Sequence, residues 1–525
     1  MKYFIIVSSL FTLSAFTAKA QQPELSSDTL NFGNTDEVSL VSQRLVVYNT
    51  GTFPMRISGV ETFPLYAAEA FVINDTSHYL LPGDSMELAV RFLPQHNVSY
   101  RLPVIIRTST GFGHTAAVLK GQGQYSRAYY QGTDNLEGQA LRTALKNLIS
   151  SGYNSLGYTS ARDNMYASID NVNGDVECAY TGRTATFSTR AGANANSFNC
   201  EHTFPQGFFN QNEPMRSDIH HLFPTDVSAN SQRGNDPFGL VNSASWSQGG
   251  SKSGGGKFEP RDMQKGASAR GMMYFVLRYQ DYANFFQGQQ NILYSWHASY
   301  PPTGKEKQRN KDIANLQNNR NPFVDYPQFM DRMQALVGSA DLPASYELYL
   351  SDDTISLARG SFGQATYNFL LVNRGNRTIK LFDWSTSDPT LSLPTSLDTL
   401  ELEPGGFAAV PIGFDTGSNY QNEVFSFSKD QGSITNFQVP IFSDADFGTS
   451  TRDIHEVSAY PNPADNYFLL PDQLKNELRV LLIDSFGRSH SINCADGRCD
   501  VSELPPGLYL LRILNQSGRS RILIR

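Results

Sequence analysis

Two well-separated stretches of the chain share one order of turn signals. In the first, about 25 to 124, the run Arg44 to Tyr48 meets Asn49-Thr50-Gly51, and Met86 to Phe92 follows Pro82-Gly83. In the second, about 345 to 445, Asn373-Arg374-Gly375 and Pro404-Gly405 stand in the same order, and a Phe follows nine residues after the second Gly in both copies, Phe92 and Phe414. Turn residues at matched offsets between short β-rich runs fix strand ends, so each stretch predicts a β-sandwich and the pair predicts two diverged copies of one module. Whatever lies between them must then be a fold of its own.

That intervening segment, about 125 to 340, changes character. Helical periodicity predicts helices over Leu136 to Ile149 and Ala269 to Phe286, separated by long Gly-, Ser- and Asn-rich loops, hence an α/β or α+β insert. With 525 residues the chain has room for three or four cores of roughly 150 residues each. A hydrophobic share of 40%, a charged share of 18% and a net charge of -8 describe a soluble globular chain with no overall basic surplus. Residues 124–335 nevertheless hold 20 Lys and Arg against 18 Asp and Glu, which makes the insert the least acidic part.

At the start, Lys2, an apolar run from Tyr3 to Phe16 and the ending Ala18-Lys19-Ala20 predict a secretory signal over 1–20, cut before Gln21. The run is shorter than the ~20 residues a membrane span needs, so no stable span is expected. Export permits disulfides. The four cysteines fall into the local pairs Cys178 with Cys200 and Cys494 with Cys499, which predict two small clamps, although four cysteines allow other connectivities.

Chemistry concentrates in two clusters of the insert, Asn199 to Gln206 and Ser217 to Asp226, the latter followed by Asn230-Ser231-Gln232-Arg233-Gly234-Asn235. Three of the nine histidines, His202, His220 and His221, lie there. An imidazole can take a proton from water, while carboxylate and amide oxygens suit a hard cation such as Mg²⁺, with Mn²⁺ or Ca²⁺ as substitutes. Glu201 and His202 are neighbours and would face opposite ways on a regular strand, so a strand end or bulge is expected to bring them together. The Gly249 to Phe258 stretch fails the phosphate-loop spacing and is expected to be a mobile loop.

Taken in order, Glu201-His202-x-x-Pro205-Gln206, then Ser217-Asp218-x-His220-His221-Leu222-x-Pro224-Thr225-Asp226, then Asn230-Ser231-x-Arg233-Gly234-Asn235-x-Pro237-Phe238-Gly239 resembles the endonuclease I family of secreted and periplasmic nucleases. Downstream, Phe258-Glu259-Pro260, Ala269-Arg270-Gly271-Met272-Met273-Tyr274-Phe275 and Asn318-Asn319-Arg320-Asn321-Pro322-Phe323 agree with it. The resemblance implies a ββα-metal site with Glu201 and Asn230 as ligands, His202 as general base, Asp218 and His220 supporting it from the second strand, and a short helix from near Val227 carrying Asn230. It implies hydrolysis of DNA, and potentially RNA, to 5′-phosphates. Arg233 or Arg216 would neutralise the phosphate. Lys305, Lys307 and Arg309 are candidates for sequence-independent backbone contacts, with a solvated helix face as the alternative.

The flanking copies resemble immunoglobulin-like modules found beside secreted enzymes and in abnormal-spindle-type proteins. The last segment, about 456 to 525, runs from Tyr460-Pro461-Asn462-Pro463 through Leu504-Pro505-Pro506-Gly507-Leu508-Tyr509 to a final Gly-led strand, and resembles the C-terminal sorting domain of type IX secretion cargo. The expected architecture is therefore multidomain: an α+β nuclease domain at 125–340 between two all-β sandwiches at 25–124 and 345–445, then a small C-terminal β-sandwich. The type IX machinery is the implied partner, and the secreted or surface compartment the implied location. Two other readings remain open: a zinc hydrolase with His202, His220 and His221 as ligands, and a surface scaffold that no longer cuts.

Overall fold

The computed structural model describes residues 23–444 apart from 52–53, 67–68, 74–76, 110 and 361–362, and in the C-terminal part 464, 466–470, 479–483, 489–502, 504–513 and 519–524. The expected signal segment and the Tyr460 to Pro463 motif lie outside the described residues. Internal contacts divide the chain into two units, 1–448 and 449–525.

In the first unit, residues 24–124 form two sheets. One has the order Glu24–Leu25, Val41–Tyr48, Ser85–Phe92, Phe71–Ile73; the other Thr29–Asp36, Thr115–Gln124, Ser99–Thr108, Met55–Glu61, His78–Leu80. Alternating residues Leu45, Val47, Leu88, Val90 and Phe92 of the first close on Met55, Ile57, Val104, Ile106 and Leu119 of the second. The copy at 348–444 has sheets of three and five strands. In each copy an early strand runs parallel to the last one, Thr29–Asp36 beside Thr115–Gln124 and Ile355–Ala358 beside Ile434–Asp444.

The shared punctuation has one physical job. The Asn49 amide donates to the Leu80 carbonyl, its Oδ1 accepts from Gly51 N, and its own carbonyl accepts from Gly83 N. Asn373 repeats this with Leu402, Gly375 and Gly405. One side chain thus ties two strand ends together in each copy, and Phe92 and Phe414 both end fully buried.

The central residues build their own core on two helices. Gly138–Ser150 buries Leu141, Leu145 and Ile149. Asp262–Arg278 is buried on nearly all sides from Gln264 onward, as a central helix must be. This second helix begins earlier and ends sooner than its periodicity suggested, because Ala283 and Asn284 adopt left-handed φ of 54° and 59° and the Asp281 carboxylate caps the Phe286 amide. Gly249 to Phe258 is a three-stranded meander, Trp246–Gln248, Ser251–Gly254 and Lys257–Glu259, rather than a mobile loop. Its glycine pairs take positive φ at the two turns.

The second unit has a six-stranded antiparallel order: Tyr467–Leu469, Arg498–Asp500, Ser489–Ala495, Arg479–Ile483, Gly507–Ile513, Arg519–Ile524. The expected Cys494–Cys499 disulfide joins two of these strands across their turn. Among the described residues no helix is long and apolar enough to cross a membrane.

Candidate active site

Phe198–His202 and Leu222–Asp226 pair antiparallel, with Glu201 opposite Phe223 and His202 opposite Leu222, and the helix Val227–Arg233 follows directly. Pairing is regular through His202, the last residue of its strand, so neither the strand end nor a bulge brings the two neighbours together, and they keep to opposite faces. Asn199 and Glu201 face the helix; His202 faces the helix Gly157–Asn164 and the turn before the second strand.

On the helix side Glu201 is 3% exposed. Its Oε1 accepts the Tyr180 hydroxyl at 2.7 Å, and Arg233 Nε stands 3.7 Å away. Burial raises the carboxyl to about 7, with Arg233 and Tyr180 pulling the other way. The Asn230 amide donates to Asn199 Oδ1 at 2.9 Å and to the Cys200 carbonyl at 3.3 Å. Because that carbonyl can only accept, the amide orientation is fixed and Asn230 Oδ1 is turned away from these partners. Glu201 Oε2 and Asn230 Oδ1 therefore have no protein donor among the described residues. Two hard oxygens of this kind suit a small divalent cation such as Mg²⁺, which keeps several waters.

On the other face, His202 Nε2 meets the Arg216 carbonyl at 3.1 Å. A carbonyl must be given a hydrogen, so Nε2 carries the proton and Nδ1 holds its lone pair. Burial, then His221, pushes this imidazole down to about 3, which keeps it neutral. The ring lies 5.5 Å from both Tyr158 and His221.

Asp218 and His220 do not lie on the second strand as expected. They sit in the tight turn before it, because the Asp218 carboxylate caps the turn Ile219–His221. Asp218 is fully buried and accepts from Tyr274, Tyr279, Arg278 and Gln317. His220 and His221 donate from Nε2 to the carbonyls of Asn319 and Met215. His221 thereby holds the preceding turn Met215–Ser217, which supplies the Arg216 carbonyl.

The arginines separate. Arg233 is fully buried and its guanidinium donates to the carbonyls of Thr203 and Gly234, so it serves as counter-charge to Glu201 instead of reaching for a phosphate. Arg309 is also withdrawn: it grips Asp170 with two nitrogens and the Leu222 carbonyl with a third contact, a clamp on the hairpin rather than a nucleic-acid contact. Lys305 is exposed and paired with Glu177, and Lys307 is exposed on the same helix, Gly304–Gln317. Arg216 is half-buried over the Tyr158 ring at 4.4 Å.

Cys178 and Cys200 are both free and buried, against the expected clamp. Cys200 pairs with Pro224 across one edge of the second strand, while Ala179 N bonds the Pro224 carbonyl from the other edge. A whole strand therefore separates them, about two inter-strand spacings of ~4.8 Å, beyond the ~7 Å limit for a disulfide. Cys178 Sγ instead accepts from the Asp226 amide, and burial pushes the Cys200 thiol up to about 12.

Sequence reasoning passed over Tyr180, Tyr158 and Arg162, and gave no role to Asn199 at the head of its first cluster. Tyr158 and Arg162 carried a readable signal, an aromatic and a cation four apart on one helix, whereas Tyr180 reaches Glu201 only through tertiary folding.

The endonuclease I family model matches residues 137–328, a HYDIN/CFA65/VesB-like Ig-like domain model matches 22–122, and a secretion system C-terminal sorting domain model matches 458–525. The extracellular ribonuclease of Bacillus amyloliquefaciens is 30% identical over 246 residues, 43% of this chain and 84% of that protein. The extracellular ribonuclease of Bacillus subtilis (strain 168) is 29% identical over 225 residues, 39% of this chain and 77% of that one. An extracellular deoxyribonuclease of Aeromonas hydrophila is 32% identical over 123 residues, covering 22% of this chain and 52% of its own. With the sorting domain and these extracellular relatives, the chain belongs to the endonuclease I family, as a secreted or cell-surface nuclease.

Proposed function

We propose that this protein is a Mg²⁺-dependent, largely sequence-nonspecific endonuclease that hydrolyses phosphodiester bonds of both DNA and RNA and leaves 5′-phosphates. The observation that carries the reading is the state of His202: Nε2 is committed to the Arg216 carbonyl and Nδ1 has no partner among the described residues, so a neutral imidazole of fixed tautomer is ready to accept a proton from water.

Glu201 and Asn230 would hold the cation on the other face of the strand, and when bound it stabilises charge on the phosphate and on the departing 3′ oxygen. In-line displacement places the attacking and leaving oxygens on opposite sides of phosphorus, which suits a base and a ligand pair that diverge at one strand end. Tyr180 and Arg233 orient Glu201. Arg216 stands beside His202 and would neutralise the phosphate. The ribonuclease names of two relatives and the deoxyribonuclease name of a third support a substrate range covering both nucleic acids.

A three-histidine zinc site has no support among the described residues, where no three His, Cys, Asp or Glu side chains are placed to share one metal ion. The test is cleavage of plasmid DNA and a structured RNA in EDTA, after Mg²⁺, Mn²⁺, Ca²⁺ or Zn²⁺ is restored, beside His202→Ala. Cleavage that returns with Mg²⁺ and yields 5′-phosphate ends supports the proposal. Absence of cleavage under every cation would replace it with the surface-scaffold reading.

A further inference from the structure

Every arginine between Arg127 and Arg332 except Arg162 and Arg216 is matched, among the described residues, to a carboxylate or to a backbone carbonyl outside its own helical turn. Arg216 has neither partner for its guanidinium, and its Nε is buried without an acceptor. Arg162 reaches with Nε only the carbonyl of Tyr158, in its own helix, at 3.4 Å.

These two unmatched cations share one ring. Arg162 lies 4.1 Å and Arg216 4.4 Å from the Tyr158 centroid. The two guanidiniums therefore stand no farther apart than the two distances laid end to end. The Tyr158 ring lies 5.5 Å from the His202 ring, at the end of the catalytic strand. The tyrosine therefore fixes both cations relative to the catalytic strand. Like charges held together without an anion repel, and each guanidinium fork matches phosphate oxygens.

We propose that Arg162 is a second phosphate-binding residue of this site, held against the same Tyr158 ring as Arg216, and that it takes the phosphate adjoining the scissile one on the same strand. This rests on the nuclease reading above, which assigns the scissile phosphate to Arg216. It makes Tyr158 a positioning residue: it touches no substrate and acts by holding two guanidiniums one phosphate step apart.

The test uses the full chain and an oligonucleotide with a single preferred cut site, in which the phosphate on the 5′ or the 3′ side of that site is replaced in turn by an uncharged methylphosphonate. With the native oligonucleotide, Arg162→Ala should raise KM about tenfold, the scale of one charge-assisted contact, with kcat nearly unchanged. Binding of an uncut duplex in EDTA by His202→Ala and by the His202→Ala, Arg162→Ala double variant should show a salt slope flatter by about 0.9 in the latter. One of the two methylphosphonates should harm the wild type and leave Arg162→Ala unaffected, the signature of a direct pair. Arg162→Lys should recover the salt slope but only part of KM, and Tyr158→Phe should keep both where Tyr158→Leu loses them. Equal salt slopes, or a wild-type penalty from methylphosphonates that persists in full in Arg162→Ala, would overturn the proposal. If the wild type cuts nothing, the nuclease reading fails while the binding slopes still decide the role of Arg162.

Discussion

At the residue scale, the site is a division of labour across one strand. Glu201 and Asn230 offer hard oxygens on one face, and His202 offers a neutral nitrogen on the other. His202→Ala should keep the fold and lower the turnover number by about 10² to 10⁴, the usual worth of a positioned base; near-wild-type turnover would end the assignment. For Glu201→Gln the expected change is a Mg²⁺ titration midpoint at least about tenfold higher, and an unchanged midpoint would move the ligand role elsewhere. The motif residues were legible because they follow one another in the chain. The arginines were not, since charge type alone does not show burial. Arg309 stands among exposed lysines in sequence, yet its place on the helix turns it inward onto Asp170, and Arg233 is one helical turn from Asn230 but sealed beneath it. Tyr158 and Arg162 went unread because their meaning depends on Arg216 arriving from a loop far along the chain.

Elements were legible wherever turn chemistry is local. Asn49 and Asn373 announce the same corner because one side chain closes it with nearby backbone groups. The supposed clamp between Cys178 and Cys200 was misread for the opposite reason: nothing in their spacing shows that Leu222–Asp226 comes between them. Alkylation of the denatured, unreduced chain should accordingly label these two thiols and leave Cys494 and Cys499 blocked; four blocked cysteines would contradict the structure. The turn Ile219–His221 depends most on Asp218. Burial alone would raise this carboxyl, but Arg278, then His220 and His221, outweigh it and hold it down to about 2 from an ordinary 3.8. A depressed folded value means that its contribution is present above 3.8 and is lost as pH falls through about 2. The wild type should lose roughly 2 kcal/mol more than Asp218→Asn over that window, measurable by urea unfolding between pH 5 and pH 2. Parallel pH curves for the two proteins would show that the carboxylate carries no such linkage.

For the first unit as a whole, the sandwich at 24–124 is more than a neighbour of the catalytic residues. Arg332 is fully buried, and its guanidinium reaches Asn97 Oδ1 in the sandwich at 2.6 Å and the Leu136 carbonyl at 3.0 Å. Asn97 in turn donates to Thr133 and Asp134, while Tyr125, at the end of the last sandwich strand, stacks on Tyr326 at 3.7 Å. The two sandwiches also share apolar contacts of their own, Phe63 and Ile105 against Leu370 and Val372. A charge buried across such a boundary is held by partners from both sides, so removing one partner leaves it unpaired in a dry setting. Asn97→Leu should therefore destabilise by about 2 to 4 kcal/mol, and the loss should appear in the nuclease core as well as in the sandwich, because one side chain serves both. Calorimetry of the full chain, read beside the temperature at which cleavage is lost, checks this. The expected result is that loss of cleavage in Asn97→Leu shifts down together with the sandwich transition, whereas a fragment of residues 125–340 that melts as high as the intact protein would show that the boundary contributes nothing to the catalytic fold.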